Sequence, residues 1–163
     1  MADLSGKNLI LREMNQKELH ALWRKYEPEN GKSYVYDEEK VELLYQKSLE
    51  KADWNPMLGI FLRNNEVIGQ VTFARVVFSE ARCELNIFLA TEAHRNKGYG
   101  TEAISLAKSY ARHQLGMKKI YAEVSKNNIR MQIVLSKCGF LHTKTYKADM
   151  PDGSDRLTFV CIL

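Results

Sequence analysis

Apolar positions recur at three- and four-residue intervals in four stretches of the chain and crowd or alternate in the segments between. Asn15 precedes Leu19, Leu22, Trp23 and Tyr26, and Asp37 precedes Val41, Leu44, Tyr45 and Leu49, so each predicts a capped amphipathic helix. Glu27-Pro28-Glu29-Asn30-Gly31 breaks the first of these, and the segment from Ala52 to Pro56 ends the second. From about Gly100 to His113 a longer helix turns Ala103, Ile104, Ala107, Tyr110 and Ala111 inward and ends at Gly116. Ile129 to Lys137 predicts a short helix stopped by Gly139. Strands are expected at Asn8–Arg12, Met57–Leu62, Val67–Val77, Cys83–Leu89 and Lys119–Val124. Arg63-Asn64-Asn65-Glu66 makes a tight turn between the second and third, and Ser79-Glu80-Ala81 leads into the fourth. Phe140–Met150 and Arg156–Leu163 close the chain as a hairpin around Pro151-Asp152-Gly153. Without repeats, low-complexity segments or linkers, residues 1–163 read as a single α+β domain.

One junction in this pattern carries candidate chemistry. After the Cys83 strand comes Arg95-Asn96-Lys97-Gly98-Tyr99-Gly100, which opens the long helix. Two glycines two apart allow a sharp turn and a close backbone approach to a ligand. The helix aims its positive end at the same place. With Arg95 and Lys97 adding cationic side chains, the junction predicts a pyrophosphate seat.

Composition narrows the classes. The 163 residues carry a net charge of +4, with lysines and arginines scattered among acids, which suits an anionic ligand but gives no nucleic-acid-binding stripe. Cys83, Cys138 and Cys161 are odd in number and widely spaced, which argues against a disulfide framework and for the reducing cytoplasm. The four histidines have no metal-ligand spacing, so no metal site is expected. Neither a membrane-length apolar run nor a signal-peptide pattern is present, so a soluble chain without membrane association is expected.

The Arg95–Gly100 run fits the (Q/R)-x-x-G-x-(G/A) signature of the GNAT superfamily of N-acetyltransferases, and Asn128 with Lys137-Cys138-Gly139-Phe140 resembles that family's closing segment. The order of elements resembles the family along nearly the whole chain, and Thr101-Glu102-Ala103 looks like its ribosomal-protein N-terminal and spermidine acetyltransferase branches. The resemblance implies a mixed, twisted sheet of six to seven strands flanked by about four helices. The Cys83 and Lys119 strands would splay apart to take acetyl-CoA as co-substrate. By position, the main chain of Phe88, Leu89 and Ala90 would hold the pantetheine, and the Phe88 N–H would stabilise the oxyanion of the tetrahedral intermediate. Arg95, Asn96, Lys97, Gly98, Tyr99, Gly100 and Thr101 would take the pyrophosphate. Asn128 would meet the pantetheine, cap the short helix, or do both.

Acetyl transfer needs a neutral amine, while alkyl amines titrate near a pKa of about 10, so a base is required. Glu84, eleven residues before Arg95, stands where the histone-acetylating branch carries its glutamate; a solvated or arginine-paired carboxylate is the competing reading. Glu102 sits on the first helical turn and complements the macrodipole. Many family members place a tyrosine proton donor seven residues after the motif asparagine, where this chain has Leu135. The acceptor would lie between Tyr26–Tyr36 and Tyr146–Asp155. Glu27, Glu29, Asp37, Glu38 and Glu39 make the first wall acidic, either for a cationic amine or as solvated loop and helix-start residues. Small-molecule and protein N-terminal amines both remain open, and dimers among the proteins it resembles allow a homodimer.

Two alternatives stand beside direct acetyl transfer. Leu135 would also suit an acetyl-CoA-binding sensor or interaction module without turnover. Gly98-Tyr99-Gly100-Thr101-Glu102-Ala103 satisfies G-x-G-x-x-(G/A), with Glu123 about twenty residues further on, the pattern of an NAD(P)-dependent oxidoreductase. Against that pattern, Thr91–Lys97 separates strand from glycines, and the motif comes late in the chain.

Overall fold

Helix starts follow short polar side chains that can accept an otherwise unpaired first-turn N–H. In the computed structural model, which describes residues 4–29, 32–50 and 55–163, Asn15 accepts from the Glu18 N–H at 2.8 Å and opens α1 (Gln16–Arg24). Asp37 accepts from the Lys40 N–H at 3.2 Å and opens α2 (Glu38–Leu49). The long α3 (Tyr99–His113) starts differently, with Gly98 at its cap and no side chain bonded to its first amides. Asn128 then accepts from the Met131 N–H at 3.1 Å and opens α4 (Ile129–Lys137). Tyr26, expected on the first helix, lies beyond its end at Arg24. Asn30 and Gly31 of the expected break, and Ala52 to Trp54 of the segment after α2, lie outside the described residues.

The strands are β1 (Leu4–Ser5), β2 (Leu9–Arg12), β3 (Met57–Leu62), β4 (Val67–Val77), β5 (Arg82–Leu89), β6 (Lys119–Ser125), β7 (Leu141–Tyr146) and β8 (Arg156–Ile162). They form one sheet in the order β1-β2-β3-β4-β5-β6-β8-β7. The count exceeds the expected six to seven because the two-residue β1 pairs with β2, a segment too short to show any period. The connection in the closing hairpin is also longer than expected, since β7 ends at Tyr146 within the Phe140–Met150 segment and β8 starts at Arg156.

Every pairing is antiparallel except β5 with β6, which are joined through α3. An antiparallel meander therefore precedes the first parallel connection, which is not the opening βαβ unit of a dinucleotide-binding sheet. The parallel pairing runs from Arg82↔Lys119 to Glu84↔Tyr121 and stops, although β5 continues to Leu89 and β6 to Ser125. Past Glu84 the two strands diverge into a wedge.

Packing fixes that wedge. The inward face of α3 buries Ala103, Ile104, Ala107, Tyr110 and Ala111 in the cluster that holds Phe73, Leu85 and Leu89, with the Phe73 and Tyr110 rings stacked at 5.1 Å. A second cluster gathers Leu19 and Leu22 of α1 with Phe61, Val67 and Ala90.

Candidate active site

Extended backbone turns successive residues alternately to the two sides of a strand, and this decides what β5 offers the wedge. A Cβ built on Gly69 of β4 would lie 2.4 Å from the Phe88 carbonyl oxygen, so that carbonyl points at β4. The Leu89 carbonyl therefore points the other way, and it accepts from Arg95 Nη2 at 2.8 Å. Because a strand residue turns its N–H and C=O to the same side, Phe88 presents its N–H to β4, opposite Gln70. The donors on the open side belong to Ile87 and Leu89, so the Phe88 N–H, expected to face the ligand, is turned to β4 instead. Ala90 is also committed within the fold: its N–H donates to Ile68 O at 2.8 Å and its carbonyl accepts from the Glu27 N–H at 2.7 Å. Neither main-chain group of Ala90 is therefore left for the expected pantetheine contact.

Beyond β5 the chain passes a 3-10 turn (Glu92–His94) and reaches the glycine turn with Asn96 at φ 60° and Gly98 at φ 83°. The helical ladder begins with Glu102 N–H to Gly98 O at 3.1 Å, so the amides of Tyr99, Gly100 and Thr101 have no partner within α3. Asn96, Gly98, Gly100 and Thr101 line a cavity of about 310 Å³ with Arg130 and Lys137. Open amides at the positive end of a 15-residue helix fit a pyrophosphate.

The cationic side chains differ from expectation. Arg95 is 6% exposed and its guanidinium is turned inward, bonded to the carbonyls of Leu89 and Glu27. It also meets Glu92 at 3.1 Å and Glu29 at 3.3 Å. Both Nη atoms are thereby bonded within the fold, while Nε has only the Glu29 ion contact and the residue still borders the cavity. Lys97 is exposed and does not line the cavity. Arg130 and Lys137 face it instead, seven residues apart on one side of α4; that spacing was readable, but not where α4 would dock.

Glu84 is buried, 8% exposed, with its carboxylate 3.4 Å from Arg75 Nε. Burial raises its pKa, which the Arg75 guanidinium partly offsets. It shares a face with Asn86 and Phe88 but lies where β5 and β6 still pair, roughly 13 Å along the strand from Phe88. Leu85, Phe88, Glu123, Asn128 and Leu135 line the wedge above it. Glu123 is held by Arg156, and that pairing accounts for its charge without a ribose. Leu135 is fully buried and floors the wedge with an apolar surface. Glu102 accepts the Asn8 N–H at 2.7 Å, tying the β1–β2 turn to α3.

Asn128 caps α4 and also lines the wedge. Asn128→Ala is expected to lose about 1 kcal/mol of stability, checked by urea unfolding, because the Met131 amide loses its acceptor. Among the described residues no group of three or more His, Cys, Asp or Glu could hold a metal ion, and no helix is long and apolar enough to cross a membrane.

Comparison with known proteins follows this geometry. A probable N-acetyltransferase, YjcK of Bacillus subtilis (strain 168), is 34% identical over 97 residues, covering 59% of this chain and 53% of YjcK, so the match spans about half of that relative. A mutant form of the spermidine N-acetyltransferase SpeG from Vibrio cholerae superposes with a TM-score of 0.83 at 20% identity, covering 96% of this chain and 95% of that one. A GNAT-family acetyltransferase from Bacillus anthracis superposes with a TM-score of 0.77 at 20% identity, covering 99% and 98%. These likenesses share the fold. The model of the acetyltransferase (GNAT) domain matches residues 8–141, most of the chain, and the protein belongs to that family.

Proposed function

We propose that this protein transfers an acetyl group from acetyl-CoA to a primary amine by direct attack in a ternary complex. The observation that carries this reading is the unpaired edge of β5, which runs straight to the uncapped amides of α3 in a chain of the GNAT family. Acetyl-CoA supplies the activated acetyl thioester. The main chain of Ile87 and Leu89 lies against the pantetheine, with Phe88 contributing its ring. Tyr99, Gly100 and Thr101 give amides to the pyrophosphate, Asn96 and Gly98 shape the turn, and Arg130 and Lys137 supply positive charge. Asn128 faces the pantetheine from the far side.

At the reacting centre the Leu89 N–H takes the charge that develops on the carbonyl oxygen. Glu84 is the base, acting through water because of its distance along the strand. Leu135 cannot protonate the leaving thiolate; a thiol pKa of about 8.5 lets solvent do so. Three buried cysteines without disulfides suit a reducing cytoplasm. The acceptor is a primary amine, a class that includes the spermidine named for SpeG.

Calorimetric titration with acetyl-CoA, with NADPH as control, tests the seat: heat from acetyl-CoA and none from NADPH is expected, and the reverse overturns the reading. Glu84→Gln tests the base. Loss of a general base lowers kcat by about 10²-fold and removes the acid limb of the pH–rate profile. An unchanged rate across the profile rejects Glu84. The same substitution is expected to raise thermal stability at neutral pH. A carboxyl whose folded pKa lies above its unfolded value contributes most below the ordinary value of 4.5 and loses that contribution as pH rises through the folded value. Glutamine has no proton to lose there. The Arg75 contact given up is a pair with a largely exposed arginine and is worth little.

A further inference from the structure

The two acids that line the cavity between the loop after α1 and the closing hairpin, Glu29 and Asp152, are already matched inside the protein. Glu29 lies 3.3 Å from Arg95 Nε and 4.0 Å from Arg130 Nη1. Asp37 caps α2, and Glu38 and Glu39 are exposed on its first turn. Asp152, from the opposite hairpin, accepts from the Ser154 N–H at 3.0 Å and its hydroxyl at 2.6 Å and feels the Lys32 charge. Lower in the wedge, Glu123 is bound to Arg156 and Glu84 to Arg75. Lys32 and Arg95 line the cavity together with Glu29 and Asp152, two cations to two carboxylates, so no surplus of negative charge faces it.

Rings fill the same wall. Tyr26 and Phe88 both line the cavity of about 510 Å³ between the loop after α1 and the closing hairpin. Their centroids are 5.1 Å apart at an interplanar angle of 79°. Trp23 backs both, 5.2 Å from Tyr26 and 5.1 Å from Phe88, and Tyr34 stands 5.1 Å from Tyr26. The Trp23 indole N–H is turned away to Gln70 Oε1 at 3.3 Å, leaving ring surface toward its neighbours. All four aromatic residues are half-buried, so the cluster keeps a wetted face. Phe88 stands beside the Leu89 N–H on the strand that would carry the thioester, so the aromatic wall borders the reacting atoms.

We propose that the acceptor is a singly charged amine on a flat apolar body, an arylalkylamine, and not a polyamine. The ring of such an acceptor packs edge-to-face on Tyr26 and Phe88, and its single ammonium gives up a proton before attack. The second and third ammonium groups of a polyamine would enter a space whose carboxylates are already paired, losing water with no counter-charge to replace it. The inference rests on the acetyl-transfer reading above and narrows its acceptor.

The test is thiol release from acetyl-CoA by the full chain at about pH 8, with 2-phenylethylamine, n-butylamine and spermidine as acceptors. The expected kcat/KM for 2-phenylethylamine exceeds that of each of the other two by about tenfold. Tyr26→Ala and Tyr26→Leu are each expected to raise the KM for 2-phenylethylamine by about tenfold while acetyl-CoA affinity stays within about twofold. Retained acetyl-CoA affinity also shows that the variants are folded. Spermidine or n-butylamine used as well as 2-phenylethylamine overturns the inference and leaves acetyl transfer standing. Thiol release by none of the three, with acetyl-CoA bound, overturns the transfer reading and the inference with it.

Discussion

Arg95→Ala is expected to lose about 3–5 kcal/mol of stability, the loss typical when one member of a buried charged network is removed. The guanidinium satisfies the carbonyls of Leu89 and Glu27 while facing Glu29 and Glu92, and all of these groups depend on it at once. Removing the guanidinium leaves two carbonyls without their donor and creates a cavity at the junction of β5 with the loop after α1. Each stranded polar group costs about 1–3 kcal/mol. For a chain of this length the melting temperature should fall by about 10 °C. Lys97→Ala, at an exposed neighbour in the same motif, should leave it unchanged within error. A melting temperature for Arg95→Ala equal to that of the parent, with weakened acetyl-CoA binding, would instead show that the side chain serves the phosphate directly.

That contrast marks what the sequence could and could not reveal. Asn15, Asp37 and Asn128 announced their helices because a cap and the amide it serves lie three residues apart, a relation written in local order. Gly98 and the amides after it were legible for the same reason. The inward turn of Arg95 was not legible because its partners, Leu89 O and Glu27 O, arrive from six and sixty-eight residues away, and only the folded chain brings them together. That the Phe88 N–H faces β4 was not legible because strand alternation fixes which residues share a side but not which side faces a partner strand. That choice follows the β4–β5 register, in which the Ala90 N–H donates to Ile68 O and the Phe88 carbonyl lies beside Gly69. Arg130 and Lys137 showed helical spacing, but only the docking of α4 beside the glycine turn gives that face a ligand to meet. Glu29 looked available because its cations come from α4 and from the segment beyond β5.

Gly69→Ala is expected to cost both stability and turnover, because its new methyl would sit 2.4 Å from the Phe88 carbonyl oxygen. Two further contacts, Ile60 Cδ1 at 3.0 Å and Leu89 Cδ2 at 3.1 Å, belong to side chains that can shift slightly. A backbone oxygen cannot yield alone. It lies beside the Gln70↔Phe88 and Gly69↔Leu89 positions of the register, so β5 must move away from β4 over the segment that bounds the wedge. Overpacking of this kind costs about 1–3 kcal/mol, and for this chain length the melting temperature should drop by about 3–9 °C. The functional effect should be larger than the thermal one. A displacement of about 1 Å at groups that position reacting atoms costs roughly 10²-fold in rate, and β5 carries the Leu89 N–H, the Phe88 ring and the unpaired edge together. Steady-state kinetics should therefore show kcat falling by about that factor, while the glycine turn, on a separate stretch of chain, keeps most of the affinity for free coenzyme A. Should Gly69→Ala retain the parent's kcat at a lowered melting temperature, the position of the β5 edge would not govern the reaction, and the oxyanion role of the Leu89 N–H would fall with it.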